Sequence, residues 1–383
     1  MEQMTNSITS ADVATSSPIC TKPIVSSSQL HRFPYRWNLK DAVFTKDKGK
    51  VFSCFSCGGG STMGYKLAGF DVVGCNEIDP KMMAAYKANH NPKYAYLEPI
   101  QTFKLREDLP QELYELDILD GSPPCSSFSM AGNREADWGK EKIFREGQAE
   151  QVLDTLFFDF IDLAKKLQPK VVIAENVKGL LLGDAKSYVI KIYREFLNAG
   201  YLVQHFLMDG SKMGVPQKRE RVFFIAIRED LADPFLFQQD MFTINAKLNL
   251  KFNEPAIPFG DFIDMDGRDL SDNMKKVWEA KKYGDSAMQQ GSERLNGKAM
   301  YFSQSYLYKD KVSGTLTSHE DSQVLFDAPK YTSVAEACKI GTYPLDYDFC
   351  KSKAHYLIGM SVPPVMTAQI ATEVYSQWLA KLW

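Results

Sequence analysis

One cysteine stands at a position where the chain could perform covalent chemistry. Cys125 follows the segment 121–124, Gly-Ser-Pro-Pro, which ends the short apolar run 116–119. Two prolines and a glycine stop regular structure, so we expect the thiol on a rigid turn at the carboxyl end of a strand. A thiol held at such an edge suits a nucleophile. A free cysteine is also commonly a small buried residue, and this stretch alone leaves both interpretations open.

Charged side chains lie at the ends of two further strand candidates. Glu175 ends the apolar segment 170–175 and precedes Asn176, at the edge where open α/β sheets bind ligands. Arg219 and Arg221 lead into the apolar segment 222–227, and residues two apart on an extended chain point the same way. The pattern predicts a polar cluster at one sheet edge, and a solvated basic face is the alternative for the two arginines.

A second potential site lies upstream, between residues 51 and 79. A strand candidate over 51–56 runs into Cys-Gly-Gly-Gly-Ser-Thr, a helix follows over about 62–69, and a strand over 70–79 carries Glu77 near its end. This layout is typical of a nucleotide-binding half-fold, in which glycines admit a ligand and the acid accepts ribose hydroxyls. The glycine spacing is not G-x-G-x-x-G, so a plain strand–helix turn with a solvated Glu77 is the alternative.

Alternating strands and helices continue as far as about residue 230. Helices are predicted over 80–90, 148–167 and 186–199, and strands over 201–208 and 222–227. Residues 233–330 are weakly patterned, a short helix follows over 333–340, and a final helix begins at Pro363. The pattern predicts an α/β fold with helices on both faces of the sheet and a smaller irregular domain.

Composition excludes several classes of protein. The 383 residues are 44% hydrophobic and 24% charged, as in globular proteins, and the net charge of −3 means that nucleic-acid binding would need local basic clusters. Seven irregularly spaced cysteines indicate reduced thiols and a cytoplasmic protein, and Cys54 and Cys57 have no partners at metal spacing. We predict no membrane segment, no signal peptide and a flexible leader that is Ser- and Thr-rich over its first 30 or so residues.

The motifs taken together in order resemble the cytosine-5 DNA methyltransferases of prokaryotic or phage type. They read F-S-C-G-G-G, N-E-I-D, G-S-P-P-C-S-S-F-S, E-N-V-K-G, Q-K-R-E-R and finally G-M-S-V before the last helix. The resemblance covers residues 50–229 and 333–383. It implies a Rossmann-like methyltransferase sheet and three regions: a leader over 1–48, a catalytic domain over 49–232 completed by 351–383, and a target recognition domain over 233–350.

The resemblance also implies a chemistry and a set of residues. Cys125 would attack carbon 6 of a cytosine flipped out of duplex DNA, while Glu175 contacts ring nitrogen 3, Arg221 the ring oxygen and Arg219 the nearby backbone. The loop 126–147 would close over the base. The substrate pocket would be formed by Pro124, Asn176, Val177 and Gln217. S-adenosylmethionine would be bound by Phe55, Ser56, Gly59, Gly60, Glu77, Ile78, Glu98, Pro123, Ser361 and Val362. The protein would work without a metal, as a monomer, in a bacterial cytoplasm and on the nucleoid when bound to DNA.

Three positions depart from the family pattern, and two other functions fit the motifs. Cys57 stands where the family usually has Gly, Met360 where it has Asn, and Lys330 where it has Arg. The same chemistry on tRNA cytosine is one rival, although 230–330 lacks the expected Cys-Phe-Thr signature. A catalytically silent DNA-binding relative is the other. Candidates for phosphate contact, or for a solvated helix face, are Lys275, Lys276, Lys281 and Lys282.

Overall fold

A seven-stranded sheet forms the centre of the protein. The computed structural model describes residues 30–124, 141–142, 151–152, 155–238, 244–298, 302 and 304–382. The strands are β1 (Lys50–Cys54), β2 (Asp71–Glu77), β3 (Tyr94–Leu97), β4 (Ile118–Gly121), β7 (Val171–Val177), β8 (Tyr201–Asp209) and β9 (Glu220–Arg228), and their spatial order is β3-β2-β1-β4-β7-β9-β8. Strand β9 runs antiparallel to the other six strands of this sheet. The strands β5 (Glu141–Lys142) and β6 (Gln151–Val152) pair with each other outside the sheet.

Helices cover both faces of the sheet, which confirms the predicted fold class. They are α1 (Gly60–Leu67), α2 (Pro80–His90), α3 (Ile100–Phe103), α4 (Leu156–Leu167), α5 (Lys186–Asn198), α6 (Asp272–Glu279), α7 (Met288–Asn296), α8 (Val334–Ile340), α9 (Ala354–Met360) and α10 (Pro364–Gln377). One apolar core joins α4 and α5 to the sheet, and a second joins α1 and α10 to the opposite face. Alternate strand residues supply the two cores, as the pleat requires.

Small strand pairs lie in the region after residue 233. Strands β10 (Leu236–Gln238) and β11 (Ile244–Ala246) are antiparallel, and β12 (Ser305–Leu307) and β13 (Gln323–Leu325) are parallel. A separate apolar cluster joins α6 and α7 to the second pair. This cluster is the core of the smaller irregular domain that the sequence predicted.

The strand order reverses between β1 and β4, and this point sets the position of the site. The chain moves outward from β1 through β2 to β3, then returns to β4 on the other side of β1. Cys54 lies beside Gly121, and Gly121 beside Ala174, so three strands end at one edge. A crevice opens at such a reversal in α/β sheets.

One predicted helix boundary differs from the structure. The helix predicted over 148–167 begins at Leu156, and Val152 lies in β6. The described part of the predicted leader, residues 30–48, packs on the body: Trp37 is buried and its indole N–H donates to the carbonyl of Thr342 at 2.9 Å. Residues 1–29 lie outside the described residues.

The segment 233–350, which we predict to be the target recognition domain, contributes at both ends to the apolar clusters around the sheet. Phe235, Ala246 and Leu248 belong to the core that joins the sheet to α10. Helix α8 packs with α9 and shares an apolar cluster with Met63 of α1.

Candidate active site

An ion pair stands at the carboxyl end of β7. Arg221 Nε lies 3.0 Å from Glu175 Oε1, and both side chains are mostly buried. Strand pairing causes this contact, because β7 and β9 run antiparallel and bring the end of one strand to the start of the other. Burial lowers the pKa of Arg221, and the charge of Glu175 opposes that effect. The structure thus brings together two of the residues that the sequence predicted as catalytic.

Arg219 is buried on the same side of β9 but makes different contacts. Its guanidinium donates to the carbonyl oxygens of Leu316 (3.1 Å), Gly359 (2.9 Å) and Ser361 (3.0 Å). It therefore connects the catalytic strand to the recognition region and to the segment before α10. We grouped Arg219 with the catalytic residues and expect it to contact the nearby backbone; the groups that it bonds here are backbone carbonyls.

The turn before Cys125 is fixed by Asn176. The Asn176 side chain donates to the carbonyl of Pro123 at 3.0 Å and accepts the N–H of Val177 at 2.9 Å. Its amide therefore ties the end of β7 to the Pro-Pro turn after β4. Cys125 itself follows the last described residue of this turn, Pro124, and lies outside the described residues, as does all of the loop 126–147 except Glu141 and Lys142.

Gln217, which we expect in the substrate pocket, lies between two backbone segments. Its side chain is buried, donates to the carbonyl of Ile340 at 2.8 Å and accepts the N–H of Leu316 at 3.1 Å. These two bonds use one donor and one acceptor position of the amide.

A cavity opens at the strand reversal, beside the Pro-Pro turn. It encloses about 840 Å³, including the open space at its mouth. Its lining residues come from the ends of the first three strands, the Pro-Pro turn and α9. They are Phe55, Cys57, Asn76, Glu77, Ile78, Asp79, Met82, Glu98, Ile100, Ser122, Pro124, Tyr356 and Met360.

Glu77 is held in this cavity by three backbone donors. Its Oε1 accepts the N–H groups of Ile78 (2.8 Å) and Asp79 (2.9 Å), and its Oε2 accepts that of Cys57 (2.7 Å). Burial raises the pKa of Glu77, and the three backbone hydrogen bonds oppose the rise. Since each carboxylate oxygen accepts about two hydrogen bonds, Oε2 retains one acceptor position for a ligand hydroxyl.

Glu98, directly after β3, also lines the cavity. Its Oε1 pairs with Arg106 Nη1 at 2.9 Å, and its Oε2 accepts the hydroxyl of Thr102 at 3.1 Å. Asn76 donates from its side chain to the carbonyl of Glu98 at 2.8 Å, which fixes the backbone there. The predicted acid therefore lies in the cavity with a cationic partner already bound.

Six of the predicted cofactor residues do not line the cavity: Ser56, Gly59, Gly60, Pro123, Ser361 and Val362. The glycines allow protein to approach protein instead. A Cβ on Gly60 would overlap the Val362 carbonyl, and one on Gly59, whose φ is +83°, would overlap the ring of His90. The Ser361 hydroxyl accepts from Tyr343 at 2.7 Å and donates to Leu357. These residues support the wall of the cavity.

The cavity also contains residues that sequence analysis did not select. Ile100, Tyr356 and Met360 line it from α3 and α9, and the sequence offers no motif at α3 that would have indicated this. Met82 was accessible to prediction, because it follows the Asp79 helix cap by three residues and so faces back toward it.

The three departures from the family pattern have distinct surroundings. Cys57 has φ of +47°, a left-handed conformation that glycine adopts without the ~1–2 kcal/mol steric cost of a side chain. Its sulfur lies 3.6 Å from that of Met82. Met360 borders the cavity, and Lys330 donates to the carbonyl of Gly267 at 3.1 Å. Glu336, six residues after Lys330, forms a capping box with Ser333 at the start of α8.

Within the part of the chain that the structure describes, no helix is long and apolar enough to cross a membrane. Across the same residues, no group of three or more His, Cys, Asp or Glu side chains could hold a metal ion.

Solved structures of known proteins share this fold. A DNA modification methyltransferase encoded within an Escherichia coli prophage, described as putative, superposes with a TM-score of 0.57 at 19% identity, covering 86% of this chain and 99% of that one. A DNMT2 variant of Spodoptera frugiperda gives 0.56 at 18% identity, covering 85% and 99%. At these identities the likeness concerns the fold.

Sequence comparison identifies relatives and a family. The chain is 36% identical over 182 residues to the type II methyltransferase M.FnuDI of Fusobacterium nucleatum, and 35% identical over 188 residues to M.NgoPII of Neisseria gonorrhoeae. These matches span 48% and 49% of this chain, and 48% and 50% of the relatives, so about half of each curated relative is covered. The family model of the C-5 cytosine-specific DNA methylases matches residues 49–376. The chain therefore belongs to the C-5 cytosine-specific DNA methylase family.

Proposed function

We propose that the protein transfers a methyl group from S-adenosylmethionine to carbon 5 of cytosine in a specific duplex DNA sequence. The observation that carries the proposal is the buried Glu175–Arg221 pair beside the Asn176-held turn that leads into Cys125. A carboxyl group and a guanidinium meet at one sheet edge, and the turn held beside them is followed in sequence by a thiol. Family membership and the type II methyltransferase relatives support the same reaction.

The proposed reaction begins with Cys125. Its thiolate adds to carbon 6 of the flipped cytosine, and the electron pair of the ring double bond makes carbon 5 nucleophilic. Glu175 donates a proton toward nitrogen 3 as charge develops there, and Arg221 donates hydrogen bonds to the ring oxygen. Carbon 5 would take the methyl group from the sulfonium of the donor, which leaves as a neutral thioether, and would then pass its proton to a base such as water. As the double bond returns, carbon 6 would release the Cys125 thiolate and Glu175 would recover its proton from nitrogen 3.

The cavity at the strand reversal fits the methyl donor. Apolar side chains such as Phe55, Ile78 and Ile100 can enclose an adenine ring, and Glu77 can accept a ribose hydroxyl at its remaining acceptor position. S-adenosylmethionine, when bound, supplies the methyl group. Pro124 lines the same cavity and directly precedes Cys125, so donor and nucleophile would meet at this turn.

The recognition region offers cations suited to the DNA backbone. Lys281 Nζ lies over the Trp278 ring at 3.0 Å from its centroid, and Lys311 Nζ over the Tyr308 ring at 4.1 Å. The face of an aromatic ring attracts a cation electrostatically, so each ring can hold its ammonium group in place. We propose that this surface, Lys281 and Lys311 with their rings, contacts phosphates and positions the duplex.

Methyl transfer to defined nucleic acids tests the proposal. The purified protein is incubated with labelled S-adenosylmethionine and either duplex DNA or tRNA, and bisulfite mapping of the DNA then locates the modified base. We expect label in DNA, at one cytosine of a short recurring sequence. Label in tRNA alone would favour the tRNA reaction, and stable DNA binding without label would favour a silent binding protein.

A further inference from the structure

A groove at the carboxyl end of β8 is not used by the proposed reaction. It encloses about 760 Å³, including open solvent at its mouth, and is lined by residues 207–209 at the end of β8, the turn after it, Glu220 of β9 and residues 250–252. Strand β8 is the outer strand on this side of the sheet, and its carboxyl end lies at the same edge as Glu175 of β7. An occupant of the groove would therefore lie beside the proposed active site.

Strand register places the groove close to Arg221. Met208, which lines the groove, pairs with Arg221 on β9, and Arg221 pairs on its other side with Val177 at the end of β7. Directly paired residues of antiparallel strands project to the same face of the sheet, so Met208 and Arg221 share a face. Two strand spacings of ~4.8 Å put the groove about 10 Å from the end of β7.

The rim of the groove has a local excess of positive charge. Lys212 and Lys251 are exposed, and neither forms an ion pair or a side-chain hydrogen bond within the described residues. The acids of the groove already have partners: Asp209 accepts two hydrogen bonds within its own turn, and Glu220 pairs with Lys178 at 2.8 Å. The groove is thus a local basic cluster, which a chain with a net charge of −3 needs if it is to bind nucleic acid.

The floor of the groove is apolar. Met213 and Leu250 are buried beneath it, Phe252 is half-buried, and Leu207 is 41% exposed. Free lysines above apolar side chains match a DNA strand, in which charged phosphates alternate with sugars whose faces are largely apolar. A small free anion would leave the apolar floor without a partner.

Duplex DNA is the occupant that position and charge favour together. Each strand of a duplex carries one phosphate per ~3.4 Å, so several phosphates fall within the ~10 Å between the end of β7 and the groove. A duplex whose target cytosine reaches Glu175 therefore brings phosphates to the lysines without further contacts. An acidic protein segment would match the charge equally, but it has no reason to lie beside the reactive edge.

We propose that this groove binds the sugar-phosphate backbone of the duplex next to the target cytosine, with Lys212 and Lys251 each contacting a phosphate. The assignment rests on the proposed function, since it names the part of the catalytic domain that holds the substrate of that reaction. Phosphate contacts carry no sequence information, so the groove should hold duplexes with and without the recognised sequence equally.

The salt dependence of DNA binding tests the groove assignment. Dissociation constants are measured by fluorescence anisotropy across a salt series for the wild type, Lys212→Ala, Lys251→Ala and the double variant. One duplex carries the sequence found by bisulfite mapping and the other lacks it. Each single substitution should weaken binding several-fold and reduce the slope of log K against log salt by about 1, and the double substitution by about 2. The loss should be the same factor on both duplexes.

Lys247→Ala is the matched control. Lys247 is exposed on the same segment, four residues before Lys251, but it lies outside the groove, beside the middle of β8, where Gln204 donates to the carbonyl of Ala246. Its substitution should leave the slope unchanged. Because all three lysine side chains are exposed, their removal should not affect folding, which thermal unfolding checks.

Two results overturn the groove assignment: slopes in both single variants equal to that of the control, or a loss confined to the duplex with the recognised sequence. Methyl transfer is measured on the same preparations. Wild type that labels DNA while the lysine variants bind like the control overturns the groove assignment alone. Label in tRNA alone overturns the proposed function and the groove assignment together.

Discussion

At the scale of single residues, the proposed reaction depends on the ion pair between Glu175 and Arg221. The side chains are positioned by antiparallel pairing of β7 with β9, and each is mostly buried. Removing one partner leaves the other charge buried without compensation. The pair is therefore the part of the described site where a conservative change should have the largest effect on the reaction.

We expect Glu175→Gln to slow methyl transfer by about 10²–10⁴-fold, the usual contribution of a general acid, while binding of S-adenosylmethionine stays unchanged. Arg228→Ala is the matched control, because Arg228 lies on the same strand β9 and pairs with the exposed Asp230 far from the site. Single-turnover rates on duplex substrate measure both. A Gln variant as fast as the wild type would remove Glu175 from the mechanism.

Asp120, a buried acid of β4 that accepts the hydroxyls of Ser53 and Tyr65, should affect how the stability depends on pH. Burial raises the pKa of the folded-state carboxyl to about 7, above its unfolded value near 4, so its contribution is fully present at low pH and is lost as the pH rises through that window. The wild type should thus lose up to roughly 4 kcal/mol relative to Asp120→Asn between pH 4 and pH 8, as an upper bound.

Urea unfolding at several pH values measures this difference. Asp272→Asn, a substitution at an exposed helix position, should leave the pH dependence of the wild type unchanged. If the stabilities of wild type and Asp120→Asn run parallel from acid to alkaline pH, Asp120 does not titrate in the folded protein.

At the scale of elements, the turn between β1 and α1 combines tight packing with unusual backbone. Gly59 has φ of +83° and abuts His90, whereas Gly200 has a similar φ of +86° with no atom near its missing side chain. The two positions separate the cost of conformation from the cost of overlap. Both substitutions with alanine pay the left-handed penalty of about 1–2 kcal/mol.

We expect Gly59→Ala to destabilise the protein by about 1–3 kcal/mol more than Gly200→Ala, because only the first forces a buried ring to move. It should also weaken binding of S-adenosylmethionine, since the same turn carries Phe55 and Cys57 into the cavity. Urea unfolding and calorimetric titration measure the two effects. Equal losses in both variants would show that the His90 contact carries no weight.

The strands and most helices could be predicted from the sequence because their cause is local. Apolar runs bounded by glycine and proline located β1, β2, β7 and β9, and the position of Glu77 at a strand end followed from them. The start of α4 was missed, since apolar spacing alone does not show that residues 151–152 pair as a short strand with residues 141–142. The bonds of Gln217 were equally hidden, because they join it to backbone far away in sequence.

At the scale of the whole molecule, three distant segments are joined at the reactive edge. Gln217 donates to the carbonyl of Ile340, and Arg219 donates to the carbonyls of Leu316 and Ser361. These bonds connect the start of β9 to two segments more than 90 residues further along the chain. Trp37 near the N-terminus covers the segment after α8. No sequence pattern could have predicted these links, since each depends on backbone carbonyls rather than on residue type.

The phosphate-contact surface should govern the salt dependence of DNA binding. Lys311→Ala should weaken binding several-fold and reduce the slope of log K against log salt by about 1, because one fewer phosphate is neutralised. Lys191→Ala is the control, since Lys191 also lies over an aromatic ring, that of Phe158, but on the catalytic domain. Fluorescence anisotropy across a salt series measures both. Equal slopes in the two variants would place the DNA elsewhere.

The central claim is covalent catalysis by Cys125 on cytosine in DNA, and the most direct measurement is trapping on duplex that carries 5-fluorocytosine at the target position. Fluorine replaces the proton that carbon 5 must lose, so the adduct persists. We expect the wild type to form a denaturant-resistant complex when S-adenosylmethionine is present. The complex should be absent with Cys125→Ala, and it should be absent on duplex that lacks the recognised sequence. An adduct that survives in Cys125→Ala, or methylated DNA without any adduct from the wild type, would contradict it.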